Sequence, residues 1–296
     1  MTHLLRKYPL TSFFVLAYAV TWLLWAPVVV AGVPAFSESR HIPSFYALPA
    51  VALGVTGTAF LMTAVTQGRA GVRRMLNRLR CWDVGVGWYL VALLLIPVGE
   101  LLITAAVVGP QALRALTPSA LALYPAAFVS HFVFGPLFEE SGWRGFALPR
   151  MQHRFGALRG SLLLGLLWAG WHFFLYAPAW IQAGTVSGIL SAGIFVAFTV
   201  SVSVVFTWLF NNTRGSLLLA MLLHGSINGT ATYVQLLADR EVISHDAAGF
   251  SAGFATLIVA ATAAALIAWR TRGRLSHPRY RYEAEDHDLG CPVGPR

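Results

Sequence analysis

The amino-acid sequence predicts an all-α polytopic membrane protein, a bundle of about eight transmembrane helices with an interfacial amphipathic helix. Three observations predict it. Of the 296 residues 57% are hydrophobic and only 11% are Asp, Glu, Lys or Arg, against roughly 25% charged in a soluble domain. Windows of about 20 residues free of ionised side chains recur along the chain at the length needed to cross a bilayer. The positive residues also fall on alternate connections between those windows, as they do when one face of the bundle is cytoplasmic.

The first window runs from about Tyr8 to Val33 and exceeds the 7–15-residue core of a cleaved signal peptide, so it reads as a span. The second runs from Phe45 to Thr66, the third from about Val86 to Val108 with Glu100 inside it, and the fourth from about Leu121 past Phe138. Pro27, Pro97 and Pro136 are expected to kink three of these helices. No formal charge occurs from Gly160 to Thr213, which is room for two helices, with Pro178, Gln182, Gly184 and Gly188 supplying the turn. The seventh span covers about Ser216 to Leu237 and the eighth about Ala247 to Trp269. Between spans two and three, Gly71 to Trp82 places Val72, Met75, Leu76 and Leu79 at helical spacing with arginines opposite, the pattern of an interfacial helix on anionic headgroups. Residues 1–274 thus read as a single integral membrane domain. Residues 275–296, rich in Pro, Gly and charge without periodicity, read as a disordered cytoplasmic tail.

The net charge is +9, and its distribution decides what it means. Arg6, Lys7, the five arginines from Arg69 to Arg80, the four from Arg144 to Arg159, Arg214 and all arginines from Arg270 onward share one face. Only Arg40, Arg114 and Arg240 fall on the other. Both termini are therefore expected in the cytoplasm, and the basic charge is assigned to the membrane surface, with no nucleic-acid partner. A single lysine against 20 arginines suggests a GC-rich bacterial genome, hence a bacterial cell membrane. Two cysteines, Cys81 and Cys291, leave no room for a disulfide framework or a four-thiolate zinc site.

Ionisable groups at membrane depth are costly, so each asks for a partner or a task. Glu140 and Arg144 are four residues apart, acid before base, as an intrahelical ion pair requires, and this pair is expected to orient Glu139, which points elsewhere. Trp168 and His172 stack one turn apart; so do His224 and Asn228. Measured from the cytoplasmic helix ends, Glu139, His172, His224 and Asn228 all lie at about 12–18 Å, and Gly165, Gly170, Gly225 and Gly229 would let their helices approach closely. A carboxylate, two histidines and an amide around one point suit hydrolysis of an amide by activated water. The same residue types also permit a zinc or other divalent metal held by Glu139, His172 and His224. His131, eight residues before Glu139, could line the pocket, whereas Glu100 reads as a structural partner.

These residues resemble the CAAX protease and bacteriocin-processing family of intramembrane proteases, whose motifs are E-E-x-x-x-R, F-x-x-x-H and H-x-x-x-N or Asp. The first is present as Glu139, Glu140 and Arg144, and the third as His224 and Asn228. In the second, Trp168 stands where the pattern has Phe, with His172 kept; the exchange reads as a matter of packing. By motif the resemblance covers about residues 121–230. It implies a membrane-embedded peptidase in which Glu139 and His172 activate water and His224 and Asn228 hold the oxyanion, acting on a membrane-associated peptide or protein. For cofactors it implies none in the mechanism we favour, although the family was long labelled metalloprotease. Two other classes compete: a proton-coupled transporter, which would need Glu100 and His131 joined to Glu139 in one path, and a non-catalytic immunity or peptide-binding membrane protein.

Overall fold

A computed structural model describes residues 2–31, 48–109, 113, 116–278 and 280, and among them occur helices and turns but no strand. After a short helix, Thr2–Lys7, the spans follow as α1 (Pro9–Val30), α2 (Leu48–Arg80) and α3 (Val86–Val107). Next come α4 (Tyr124–Phe134) and α5 (Pro136–Phe155), then α6 (Ala157–Gln182), α7 (Thr185–Asn212), α8 (Leu217–Asp239) and α9 (His245–Arg270). Among the described residues seven of these are long and apolar enough to cross a membrane alone, and the stretch from Pro118 to Val133 with α5, bent by 40° at the break, makes an eighth if the two count as one span. The protein is an integral membrane protein. Arg40, Arg114, Cys291, the outer ends of the first two windows and the tail beyond 280 lie outside the described residues.

The fourth span is not the single helix expected through Leu148. Proline has no N–H to donate and its ring displaces the preceding turn, and ahead of Pro136 the backbone of Gly135 leaves the helical region, with φ −140° and ψ −75°. Beyond Glu140 the chain winds as a wide π segment, Ser141–Ala147, before returning to α-helix. Such a bulge leaves backbone acceptors in need of partners. Thr56 donates its hydroxyl to the Phe138 carbonyl, and Ser141 Oγ donates to the same carbonyl at 3.3 Å. Thr56 belongs to a second π segment, Ala52–Gly57 in α2, and the two segments lie against each other. A Cβ on Gly142 would fall 2.4 Å from Val55 Cγ1, so only glycine permits that approach. By contrast, α1 and α3 run without interruption through Pro27 and Pro97.

Helix α8 is the axis of the bundle. Of its apolar window 72% is buried, against 22% for α1 and α3, which turn most of their apolar surface to lipid. Small residues set the spacing around it, as expected where helices approach without a hydrophobic drive of their own. A Cβ at Gly229 would meet Phe128 Cα in α4 at 2.8 Å, and one at Gly165 would meet Val200 Cα in α7 at 2.6 Å. The main core gathers Phe13, Trp143, Phe146, Trp168, Trp171, Phe206 and Phe210. A smaller cluster at the other end holds Ala120, Ala127, Tyr233, Val234 and Leu237.

The amphipathic segment expected ahead of α3 is present as the last part of α2, beyond a kink. The chain turns at Gly68 (φ 67°), buries Met75 and leaves Leu76 and Leu79 exposed, and closes with a 3-10 turn at Arg78–Arg80. The start of the segment expected to be disordered is packed instead. Leu275 and Tyr280 are buried, Asn211 Nδ2 donates to the Leu275 carbonyl at 2.8 Å, and Arg78 Nη2 donates to Tyr280 Oη at 2.7 Å. Composition did not show this, because two apolar anchors suffice to hold so short a stretch.

Candidate active site

The break at Gly135 and the π segment together aim the two glutamates in different directions from one turn of backbone. Glu140, with no exposed surface, accepts from Arg144 Nη1 at 2.9 Å and from His224 Nδ1 at 2.8 Å, both on Oε1. The i,i+4 pair therefore forms as its spacing requires. What it orients is His224 of α8, however, and not Glu139. The Arg144 guanidinium lies between the rings of Phe206 and Trp168, 3.7 and 4.3 Å from their centroids. Its Nε and Nη2, and Glu140 Oε2, have no hydrogen-bond partner among the described residues. A charge so enclosed is held by one carboxylate and two aromatic faces.

Glu139 is also buried. Its Oε2 accepts from Trp168 Nε1 at 2.9 Å and from Trp143 Nε1 at 3.1 Å. The reading of Trp168 as a packing exchange is thus corrected: where the motif has phenylalanine, this chain supplies an indole N–H to the carboxylate. Both histidines lie within electrostatic reach of Glu139. His172 Nδ1 lies 3.0 Å from the Trp168 carbonyl, which can only accept, so Nδ1 carries the proton and Nε2 is the open nitrogen. The same logic applies to His224, whose Nδ1 faces an acceptor carboxylate. The rings stack into one cluster, with Trp168 5.2 Å from His224 and His172 lying parallel to Tyr176 at 5.5 Å.

Asn228, one turn beyond His224, completes the group. A Cβ built on Gly135 would lie 3.4 Å from Glu139 Oε1 and 3.6 Å from Asn228 Nδ2, so both atoms border one small space that the glycine leaves open. Among the described residues Asn228 makes no side-chain hydrogen bond. Glu139, His172, His224 and Asn228 are thus brought together as their common depth implies. Glu100 and His131 are not. Glu100 accepts from Ser251 Oγ and Thr256 Oγ1, each at 2.7 Å. His131 pairs with Ser130 and Thr232.

Neither ring nitrogens nor carboxylates converge as ligands. Among the described residues no group of three or more His, Cys, Asp or Glu side chains could hold a metal ion. Each of the three residues has one polar atom engaged by the protein: Glu139 Oε2 by two indoles, His224 Nδ1 by Glu140, His172 Nδ1 by a carbonyl.

Sequence reasoning passed over Trp143, and read Trp168 for its ring and not for its N–H. The signal was present: Trp143 follows Glu139 by four residues, and an indole N–H buried in a membrane protein needs an acceptor. Gly135 was also passed over, since its effect is the space it does not fill.

Residues 120–230 match the model of a family described as type II CAAX prenyl endopeptidase Rce1-like. The chain is 29% identical over 108 residues to CAAX prenyl protease 2 of Methanococcus maripaludis, an alignment covering 36% of this chain and 40% of the relative. The chain therefore spans less than half of the curated relative it matches, and the matched stretch contains every residue of the cluster described above.

Proposed function

We propose that this chain, whose residues 120–230 match the Rce1-like CAAX endopeptidase model, is an intramembrane endopeptidase of that family that cleaves a membrane-associated peptide or protein with a glutamate-activated water. The observation that carries this reading is the space at Gly135, bordered by Glu139 Oε1 on one side and Asn228 Nδ2 on the other. A water there gives its proton to Glu139 Oε1 as its oxygen attacks the scissile carbonyl, with the open Nε2 of His172 orienting it. The carbonyl oxygen becomes an oxyanion and accepts from Asn228 Nδ2. His224, its Nδ1–H held on the Glu140 carboxylate, turns the other edge of its ring to the same oxyanion. Collapse of the tetrahedral intermediate breaks the C–N bond, and the proton taken from water passes to the leaving amine.

The reading uses no metal; in its support, among the described residues no group of three or more His, Cys, Asp or Glu side chains could hold a metal ion. The one-sided arginines support an orientation with both termini cytoplasmic and, with the arginine-for-lysine bias, a bacterial cell membrane. The name of the Methanococcus maripaludis relative, CAAX prenyl protease 2, makes a prenylated C-terminal box the first substrate to try. The separate partners of Glu100 and His131 favour this reading over a transporter's path.

The test uses purified protein in lipid vesicles with two internally quenched peptides, one carrying a prenylated C-terminal box and one a transmembrane anchor. Wild type cleaves at least one of them, and Glu139→Ala, His172→Ala and His224→Ala each abolish cleavage while inserting normally. Exhaustive chelation leaves the wild-type rate unchanged, with no metal found by elemental analysis. Cleavage persisting in Glu139→Ala overturns the mechanism.

A further inference from the structure

The indole N–H groups of this bundle are not satisfied as a matter of course. Among the described residues Trp25 Nε1 and Trp171 Nε1 are buried without a partner, and Trp22 Nε1 donates to the Trp171 carbonyl at 2.9 Å. Against that background two indoles converge on a single carboxylate oxygen. Trp143 reaches Glu139 Oε2 from one turn along the same element, and Trp168 reaches it from α6. Hydrogen bonds to an ionised acceptor are the strong ones, and a water-poor interior strengthens them further.

We propose that Trp143 and Trp168 are positioning residues that clamp Glu139 Oε2, so that Oε1 alone faces the space at Gly135 as the oxygen that takes the proton from water. The inference rests on the endopeptidase reading above and deepens it. A free carboxyl group rotates about its last torsion and presents either oxygen at a range of angles. With Oε2 fixed by two donors at 2.9 and 3.1 Å, the carboxylate plane is set. Oε1 then holds its place 3.4 Å from the position of a Gly135 Cβ whether or not substrate is bound. Proton abstraction is sensitive to such placement. Trp168 has a further reason to be rigid, since its ring packs on both the Arg144 guanidinium and the edge of His224. One side chain thereby couples the base to the oxyanion side of the site.

The test separates the N–H from the ring. Replacement of Trp168, and separately Trp143, by 3-benzothienylalanine keeps the bicyclic shape and removes only the donor; Trp168→Phe is the natural counterpart. On the cleaved quenched peptide each isosteric variant lowers kcat about tenfold to a hundredfold, with KM within about twofold of wild type. Independently of activity, ¹⁵N-indole spectra of Glu139→Ala show the Trp143 and Trp168 N–H resonances moved upfield. The Trp22 resonance, bonded to a backbone carbonyl, stays in place and reports an intact fold. Wild-type kcat in both isosteric variants, or unmoved Trp143 and Trp168 resonances, overturns the clamp. Cleavage surviving in Glu139→Ala instead overturns the endopeptidase mechanism and the clamp with it, so the two failures are told apart.

Discussion

Replacing Glu140 by leucine takes away the only hydrogen-bonding partner, among the described residues, of a guanidinium that is 1% exposed. Nε and Nη2 of Arg144 already lack partners, so the variant would bury an uncompensated cation. Breaking a buried pair from one side costs about 3–5 kcal/mol, on the order of a hundredfold to several thousandfold in the folding equilibrium. The Phe206 and Trp168 faces at 3.7 and 4.3 Å do not offset this loss, because they attract the cation equally before and after the change. Removing both charges is different. Glu140→Leu combined with Arg144→Met replaces the pair by apolar groups of similar length, and its stability should return to within about 1–2 kcal/mol of wild type. Equilibrium unfolding of the purified protein in mixed micelles measures the three variants together with Arg144→Met alone. Activity should not return with stability, since in the double variant His224 Nδ1 has lost its acceptor at 2.8 Å. A double variant as unstable as Glu140→Leu would refute the energetic account. One that cleaves at the wild-type rate would refute the orienting role of Glu140.

Gly135→Ala places a methyl group at ordinary contact distance from Glu139 Oε1 and Asn228 Nδ2, so cleavage should fall at least tenfold through exclusion of water while unfolding changes little. A wild-type rate in that variant would show that the space is not used. Gly229→Ala brings Cβ to 2.8 Å from Phe128 Cα and should destabilise by about 1–3 kcal/mol, read in the same unfolding assay. Asn211→Ala removes a reciprocal amide pair with Gln152, at 2.8 and 3.0 Å, as well as the bond to the Leu275 carbonyl. It should cost about 1–3 kcal/mol and make the chain around 275–280 more readily cleaved by added protease, as gel electrophoresis would show.

The spans, their number and the common depth of Glu139, His172, His224 and Asn228 were legible because each depends on local composition and on the fixed rise of a helix. The Glu140–Arg144 pair was legible for the same reason. What Glu140 does with the pair was not. Its second partner, His224, lies 84 residues away, and the direction of approach is set by the π segment at Ser141–Ala147, whose register no local signal announces. The case of Trp168 is sharper. An aromatic position in a motif is read by size, yet the ring carries a donor whose target, 29 residues back, becomes visible only once α5 and α6 are side by side. Pro136 predicted a kink, but the useful product of that kink is the vacant volume beside Gly135, and a sequence records side chains rather than gaps.

The packing of Tyr280 carries a consequence for the order of synthesis. Arg78 Nη1 donates to the Gly145 carbonyl at 3.4 Å, inside the π segment that follows the glutamates, while Nη2 of the same side chain is held by Tyr280. That arrangement spans 202 residues and cannot close until Tyr280 has left the ribosome. A nascent chain that has inserted every helix through α8 already owns all four polar groups of the site, but it lacks the brace beneath them. Emergence of Tyr280, and not insertion of the site-bearing helices, is therefore the step that closes this brace.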